Sequence, residues 1–167
     1  MNKNPLVILS IDPGYDRCGW AIGVKENGEY KNLDFGLVQT HKNHSIFERF
    51  AEVNNFLKNL ILEYNPTHLA IENLYFAKNT TTAMRVVEIR GLIFGLALTH
   101  QLEIFEYDPV TIKLAVTGFG KADKAAVTKL TLSQLKLTKL QNKEQKIIDD
   151  AVDALAVGLT HAVSYRN

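Results

Sequence analysis

The sequence predicts an α/β fold, a mixed five-stranded sheet flanked by helices. Three observations lead there. Short apolar, partly β-branched runs stop at turn residues, as buried strands do. The first three runs follow one another across short links, whereas helical segments separate the later ones, giving the order βββαβαβα. The last helical segment, 147–164, has no Asp, Glu, Lys or Arg after Asp153, so it is apolar nearly all round and suited to burial.

Residues 6–11 (LVILSI) read as the first strand and end at Asp12-Pro13-Gly14. Residues 20–24 and 33–39 are the next two strands, parted by Lys25-Glu26-Asn27-Gly28, and the three make an antiparallel meander. Residues 45–64 switch to helical periodicity, with Phe47, Phe50, Val53, Leu57 and Ile61 toward one side. Ser45 followed three residues later by Glu48 is a capping box, and Pro66 ends the helix. Residues 68–72 are a fourth strand, about 80–100 a long helix and 103–107 a fifth strand. Pro109 starts a short helix, Gly118 and Gly120 interrupt the chain, and a Lys-rich helical stretch runs to about Leu137. No internal repeat or low-complexity linker appears, so residues 1–167 read as a single domain of ordinary size.

The formal net charge of +1 argues against a strongly basic nucleic-acid coater, but the charge is unevenly placed. Residues 1–110 carry 10 basic and 13 acidic side chains, and residues 111–146 carry 8 Lys against Asp123 and Glu144. The result is an acidic body with one basic flank. One cysteine, Cys18, excludes an internal disulfide and favours a reducing, cytoplasmic setting, with the thiol as a small buried hydrophobe. No signal peptide is visible at the start, and the longest apolar stretch, 91–98, is far short of the ~20 residues of a membrane span.

The acids are the most informative residues. Asp12 and Glu72 each end an apolar strand, and Asp150 and Asp153 open the buried last helix, three residues apart and able to point to one spot. A carboxylate leading out of a core needs a cation or several hydrogen bonds. Four of them suggest a hard divalent cation such as Mg²⁺, and two such ions could clamp the attacking and leaving oxygens of a phosphodiester. Alone, each piece has a plainer explanation, as a turn, a surface acid or a helix N-terminus; together they point to metal chemistry. No nucleophile triad of Ser, His and Asp, or of Cys and His, suggests itself, and the histidines at 41, 44, 68, 100 and 161 lack metal-ligand spacing. His161 reads as a core histidine or a residue behind the acids.

With these residues in view, the chain resembles the RuvC family of bacterial and phage Holliday-junction resolvases, which are ribonuclease-H-like. The matching stretches are 8–23 (ILSIDPGYDRCGWAIG), 71–98 (beginning IENLYFAKN), 105–127 (containing GFGKADK) and 150–162 (DAVDALAVGLTHA). The resemblance implies that Asp12, Glu72, Asp150 and Asp153 are the metal ligands, Asp12 bridging two Mg²⁺ ions for which Mn²⁺ could substitute. Asp149 is an extra acid beside the pair: the family register favours Asp150 and Asp153, with Asp149 a neighbour or a surface cap, but Asp149 and Asp153, four residues apart, could also share a face. Lys113 and Lys124 match lysines that approach the scissile phosphate, and Tyr75 matches an aromatic that stacks on a base at the exchange point. The family further implies a homodimer with paired symmetric nicks, and coupling to a branch-migration motor.

The residues themselves place Lys78, in the FAKN string beside Glu72, and Lys121, in the basic flank, against phosphates. Phe119, between two glycines, is either a wedge into DNA or an anchor of its loop. Affinity for DNA should fall steeply with salt. The helix at 80–98, with Gly91 and Gly95 beside Leu92, Ile93, Phe94 and Leu98, packs either on a second copy or on its own sheet. Competing readings are a phage-type nuclease of broader fork and flap selectivity, a non-catalytic junction-binding module, and a ribonuclease H or nucleotide-binding relative of the same fold.

Overall fold

The computed structural model describes residues 5–74, 80–137 and 145–166. Its element order is β1 (Leu6–Asp12), β2 (Arg17–Glu26), β3 (Glu29–Gln39), α1 (Ile46–Tyr64), β4 (His68–Glu72), α2 (Thr80–Thr99), β5 (Glu103–Tyr107), α3 (Pro109–Thr117), α4 (Lys124–Gln134) and α5 (Gln145–Ser164). The strands form one sheet in the order β3-β2-β1-β4-β5. The β1–β2 and β2–β3 pairs are antiparallel, and β1–β4 and β4–β5 are parallel. This is the mixed five-stranded sheet that the sequence predicts.

Two strands are longer than their apolar runs. β2 runs from Arg17 to Glu26 and β3 begins at Glu29, because the ladder between them extends through polar residues, from the Arg17–Gln39 pair at one end to the Glu26–Glu29 pair at a two-residue turn. Asn27 and Gly28 both have positive φ, 52° and 84°, the requirement of the tight hairpin turn whose twist suits antiparallel strands. Backbone pairing needs no apolar side chain, so hydrophobicity alone understates such strands. The Ser45 capping box of α1 forms as the sequence indicates, with Asn65 closing the helix in the left-handed region.

Alternation along β1 divides the core. Leu9 and Ile11 join Trp20 and Ile22 of β2 beneath α1 and α2, whereas Leu6 and Ile8 pack under α3, α4 and α5. After Asp153, α5 is buried over most of its length, as the absence of charged residues there requires. Its approach to the sheet depends on Gly19, where a Cβ would lie 2.0 Å from the Asp150 carbonyl oxygen. Gly19 is also the partner of Asp12 in the β1–β2 register. The glycine therefore sets the start of α5 directly over the end of β1. Cys18 is fully buried, and burial pushes its thiol up to about 12, so it packs as a hydrophobe.

Candidate active site

The parallel register of β1 and β4 matches Ile11 with Ile71, so Asp12 and Glu72 leave the sheet side by side. α5 brings Asp150 and Asp153 over the same strand ends. One carboxylate oxygen from each of Asp12, Asp150 and Asp153 lies within 4.8 Å of the others. Glu72 stands outside this tightest group but is close enough that its charge raises the Asp12 pKa. Asp149 is exposed, so the register of Asp150 and Asp153, and not Asp149, supplies the inward pair.

The cluster is under electrostatic load. Burial, followed by the charges of Asp153, Glu72 and Asp150, pushes the Asp12 carboxyl from 3.8 up to about 8. Glu72 and Asp153 are also raised, in each case chiefly by burial. Carboxylates that resist ionisation beside one another, half-buried at the ends of β1 and β4, could hold a hard cation, which would relieve both penalties. All the ligand atoms offered are oxygens, which fits Mg²⁺ or Mn²⁺ and disfavours softer ions.

Two cations already attend the group. Lys124 Nζ lies 2.8 Å from Asp153 Oδ2. Burial lowers the lysine's affinity for its proton, but the hydrogen bond and charge of Asp153 outweigh this and leave its pKa raised. Arg17 donates from Nε and Nη2 to Asp150 Oδ2, each at 2.5 Å. Lys113 and Lys124 line one cleft of about 260 Å³ with Glu72, Pro109 and Asp153. Local capping aims both lysines. Asp108 caps α3 by accepting from Val110 and Thr111, with Pro109 at the first helical turn, and Lys113 follows one turn on. Asp123 caps α4 through the Ala126 N–H, which sets Lys124 at the helix start.

Lys121 and Phe119 lie on the α3–α4 connection, both exposed and outside the cleft lining. Tyr75 and Lys78 lie outside the described residues. His161 proves to be a core histidine, fully buried and hydrogen-bonded to His68 Nδ1 at 2.8 Å and Tyr107 Oη at 2.7 Å. α2 divides between the two roles open to it: Ile93 is buried in its own core, whereas Gly91, Gly95 and Leu98 face outward.

Two arginines escape sequence reasoning. Arg17 gives no local signal beyond its place after a turn, since its partner is 133 residues away. Arg90 is buried and donates to the backbone carbonyl of Glu72 and to the Glu106 carboxylate, while its guanidinium lies over the Phe94 ring. Its signal was legible: a cation between Ile89 and Gly91, where the apolar part of the helix begins, must find a polar partner.

A mixed sheet with a carboxylate cluster at the ends of β1 and β4 and the start of α5 is a ribonuclease-H-like nuclease fold. Residues 8–161 match the family model described as crossover junction endodeoxyribonuclease RuvC. The chain is 37% identical over 161 residues to the protein of that name from Natranaerobius thermophilus, covering 96% of this chain and 97% of the relative. It is 40% identical to that of Brachyspira hyodysenteriae, over 94% of each. Among solved structures it resembles Thermus thermophilus RuvC in complex with a Holliday junction substrate, with a TM-score of 0.83, 26% identity and coverage of 94% and 93% of the two chains. The chain belongs to the RuvC family of crossover junction endodeoxyribonucleases.

Proposed function

We propose that this chain is a Mg²⁺-dependent endonuclease that resolves four-way DNA junctions by paired symmetric nicks. The observation that carries the reading is the convergence of Asp12, Asp150 and Asp153 on one point, with Glu72 beside them and two lysines across the cleft. These acids would hold two Mg²⁺ ions, or Mn²⁺ in their place, and the bound ions would supply an activated water and Lewis acidity for phosphodiester hydrolysis. Asp12, at the end of the middle strand and within reach of the charges of the other three acids, would be the ligand common to both ions. Arg17 orients the Asp150 carboxylate. Lys113 approaches the scissile phosphate, where its cation favours the charge that develops in the transition state. Lys124 reaches the same phosphate after exchanging its bond to Asp153. Lys121 adds to the basic flank that tracks the DNA backbone, with Tyr75 and Lys78 as further contacts beyond Glu72.

Paired nicks on a two-fold symmetric junction call for a C₂ homodimer. The outward face of α2 supports one: Met84, Val87 and Leu98 are exposed, and the space over Gly91 and Gly95 is open. A branch-migration motor is a further partner by family analogy. Among the described residues no helix is long and apolar enough to cross a membrane.

The test is cleavage of a mobile four-way junction, end-labelled on each strand in turn, with and without Mg²⁺. Expected are metal-dependent nicks at matching positions on opposed strands, lost in Asp12→Asn while junction binding persists. Cleavage by Asp12→Asn at the wild-type rate would overturn the metal mechanism. Faster cutting of forks, flaps or RNA–DNA hybrid than of junctions would reassign the substrate.

A further inference from the structure

Phe119 leaves 60% of its surface in solvent, yet the chain that carries it is tightly held. Gly118 ends α3 at a φ of 76° and donates to the Leu114 carbonyl. The Phe119 N–H donates to Thr117 Oγ1 at 3.0 Å, that hydroxyl reaches the Lys113 carbonyl at 2.7 Å, and the Phe119 carbonyl accepts from the Ala122 N–H at 3.0 Å. Gly120 runs so close to Val110 that a Cβ would lie 3.0 Å from its Cγ1. The ring is thus presented by a fixed turn, which removes loop anchoring as its purpose.

Val110 and Leu114, one helical turn apart on α3, are each 55% exposed. Three large apolar side chains are in the open on one short helix and the turn that follows it, and apolar exposure gathered in so short a stretch calls for an occupant. The charges around it identify that occupant. Lys113 lies between Val110 and Leu114 in sequence and lines the cleft, exposed Lys121 follows Phe119 by two residues, and Lys124 pairs with Asp153. The one acid on this connection, Asp123, is committed to capping α4. Exposed apolar side chains, one of them an aromatic ring, with cations close by in the chain match a nucleotide, whose base stacks and whose phosphate pairs.

We infer that Val110, Leu114 and Phe119 form a stacking ledge for an unpaired nucleobase next to the phosphate held by Lys113 and Lys124. The inference rests on the branched-DNA reading above and adds to it a base subsite on the α3–α4 connection. Thr117 lies one turn, ~5.4 Å along the helix, from Lys113. Phe119 follows two residues later, beyond the Gly118 cap, on the connection that runs from Lys113 on α3 to Lys124 at the start of α4.

The test uses the full chain carrying Asp12→Asn, so that binding is read without cleavage. Adding Phe119→Ala is expected to weaken affinity for a four-way junction by roughly 5- to 100-fold, the range for one stacked base, and Phe119→Tyr to stay within about threefold of the parent. Phe119→Trp supplies a reporter whose emission should be quenched on junction addition, while Trp20, 6% exposed in the core, gives the parent its constant background. Affinity of Phe119→Ala within twofold of the parent, with no quenching in Phe119→Trp, overturns the ledge. Loss of self-association in Phe119→Ala at unchanged DNA affinity also overturns it, by making the patch a protein contact. If the Asp12→Asn parent itself binds no junction, the branched-DNA reading fails and the ledge with it.

Discussion

Asp12→Asn should make the metal-free protein more stable while removing its response to Mg²⁺. The Asp12 carboxyl is displaced from 3.8 in the unfolded chain to about 8 in the fold, by burial and by three neighbouring acids. A raised carboxyl binds its proton better in the folded state, so its ionisation opposes folding. The penalty is absent below pH ~4, grows as pH rises, and levels off above about 8. Each tenfold change in proton affinity is ~1.36 kcal/mol, so the roughly three decades between the ordinary value and pH 7 amount to ~4 kcal/mol. Solvent at the edge of this half-buried group reduces that to about 2–4 kcal/mol. Asparagine keeps the shape without the charge. In EDTA at pH 7.5 its melting temperature should exceed that of wild type by ~4–12 °C, and the gap should close toward pH 4. Mg²⁺ should raise the wild-type melting temperature and leave Asp12→Asn nearly unmoved, since the ion binds the ionised cluster. Differential scanning fluorimetry across pH, with and without metal, reads every term. Equal melting temperatures at pH 7.5 in EDTA, or a gap that widens toward acid, would refute the electrostatic account of the site.

Lys124→Gln removes the cation paired with Asp153, which the proposed mechanism sets against the phosphate. Single-turnover cleavage should fall by ~10²-fold or more while junction affinity changes little. Arg90→Met deletes the donor shared by the Glu72 carbonyl and Glu106. It should cost ~2–4 kcal/mol in urea denaturation, below the ~3–5 of a fully buried pair because Glu106 is half exposed. Burial, then the charges of His68 and Lys25, lowers His161 to about 4, so the fold excludes a proton that the unfolded chain takes up near 6.5. Stability should fall by ~3 kcal/mol between pH 6.5 and 4, and His161→Gln should flatten that part of the profile in chemical denaturation.

Much of the fold was legible because each element advertises itself locally. The capping box at Ser45, the stop after Asp12 and the charge-free run of α5 after Asp153 depend on neighbours within a few residues. The ends of β2 and β3 were not, since hydrogen-bonded pairing carries polar residues as readily as apolar ones. Among the acids, three positions near residue 150 compete within one helical turn. Only packing shows that Asp149 faces solvent while Asp150 and Asp153 face Asp12.

The sequence by itself determined the strands and helices, the acids at their ends and the separation of an acidic body from a basic flank, because periodicity and composition are local properties of the chain. Tertiary structure alone decided what those residues meet. Gly19 admits the α5 backbone over the end of β1, Arg17 finds Asp150 across 133 residues, Arg90 pins the carbonyl of Glu72, and Phe119 is held open to solvent on a rigid turn. Such meetings depend on the distance of closest approach between packed elements, which no spacing along one segment encodes.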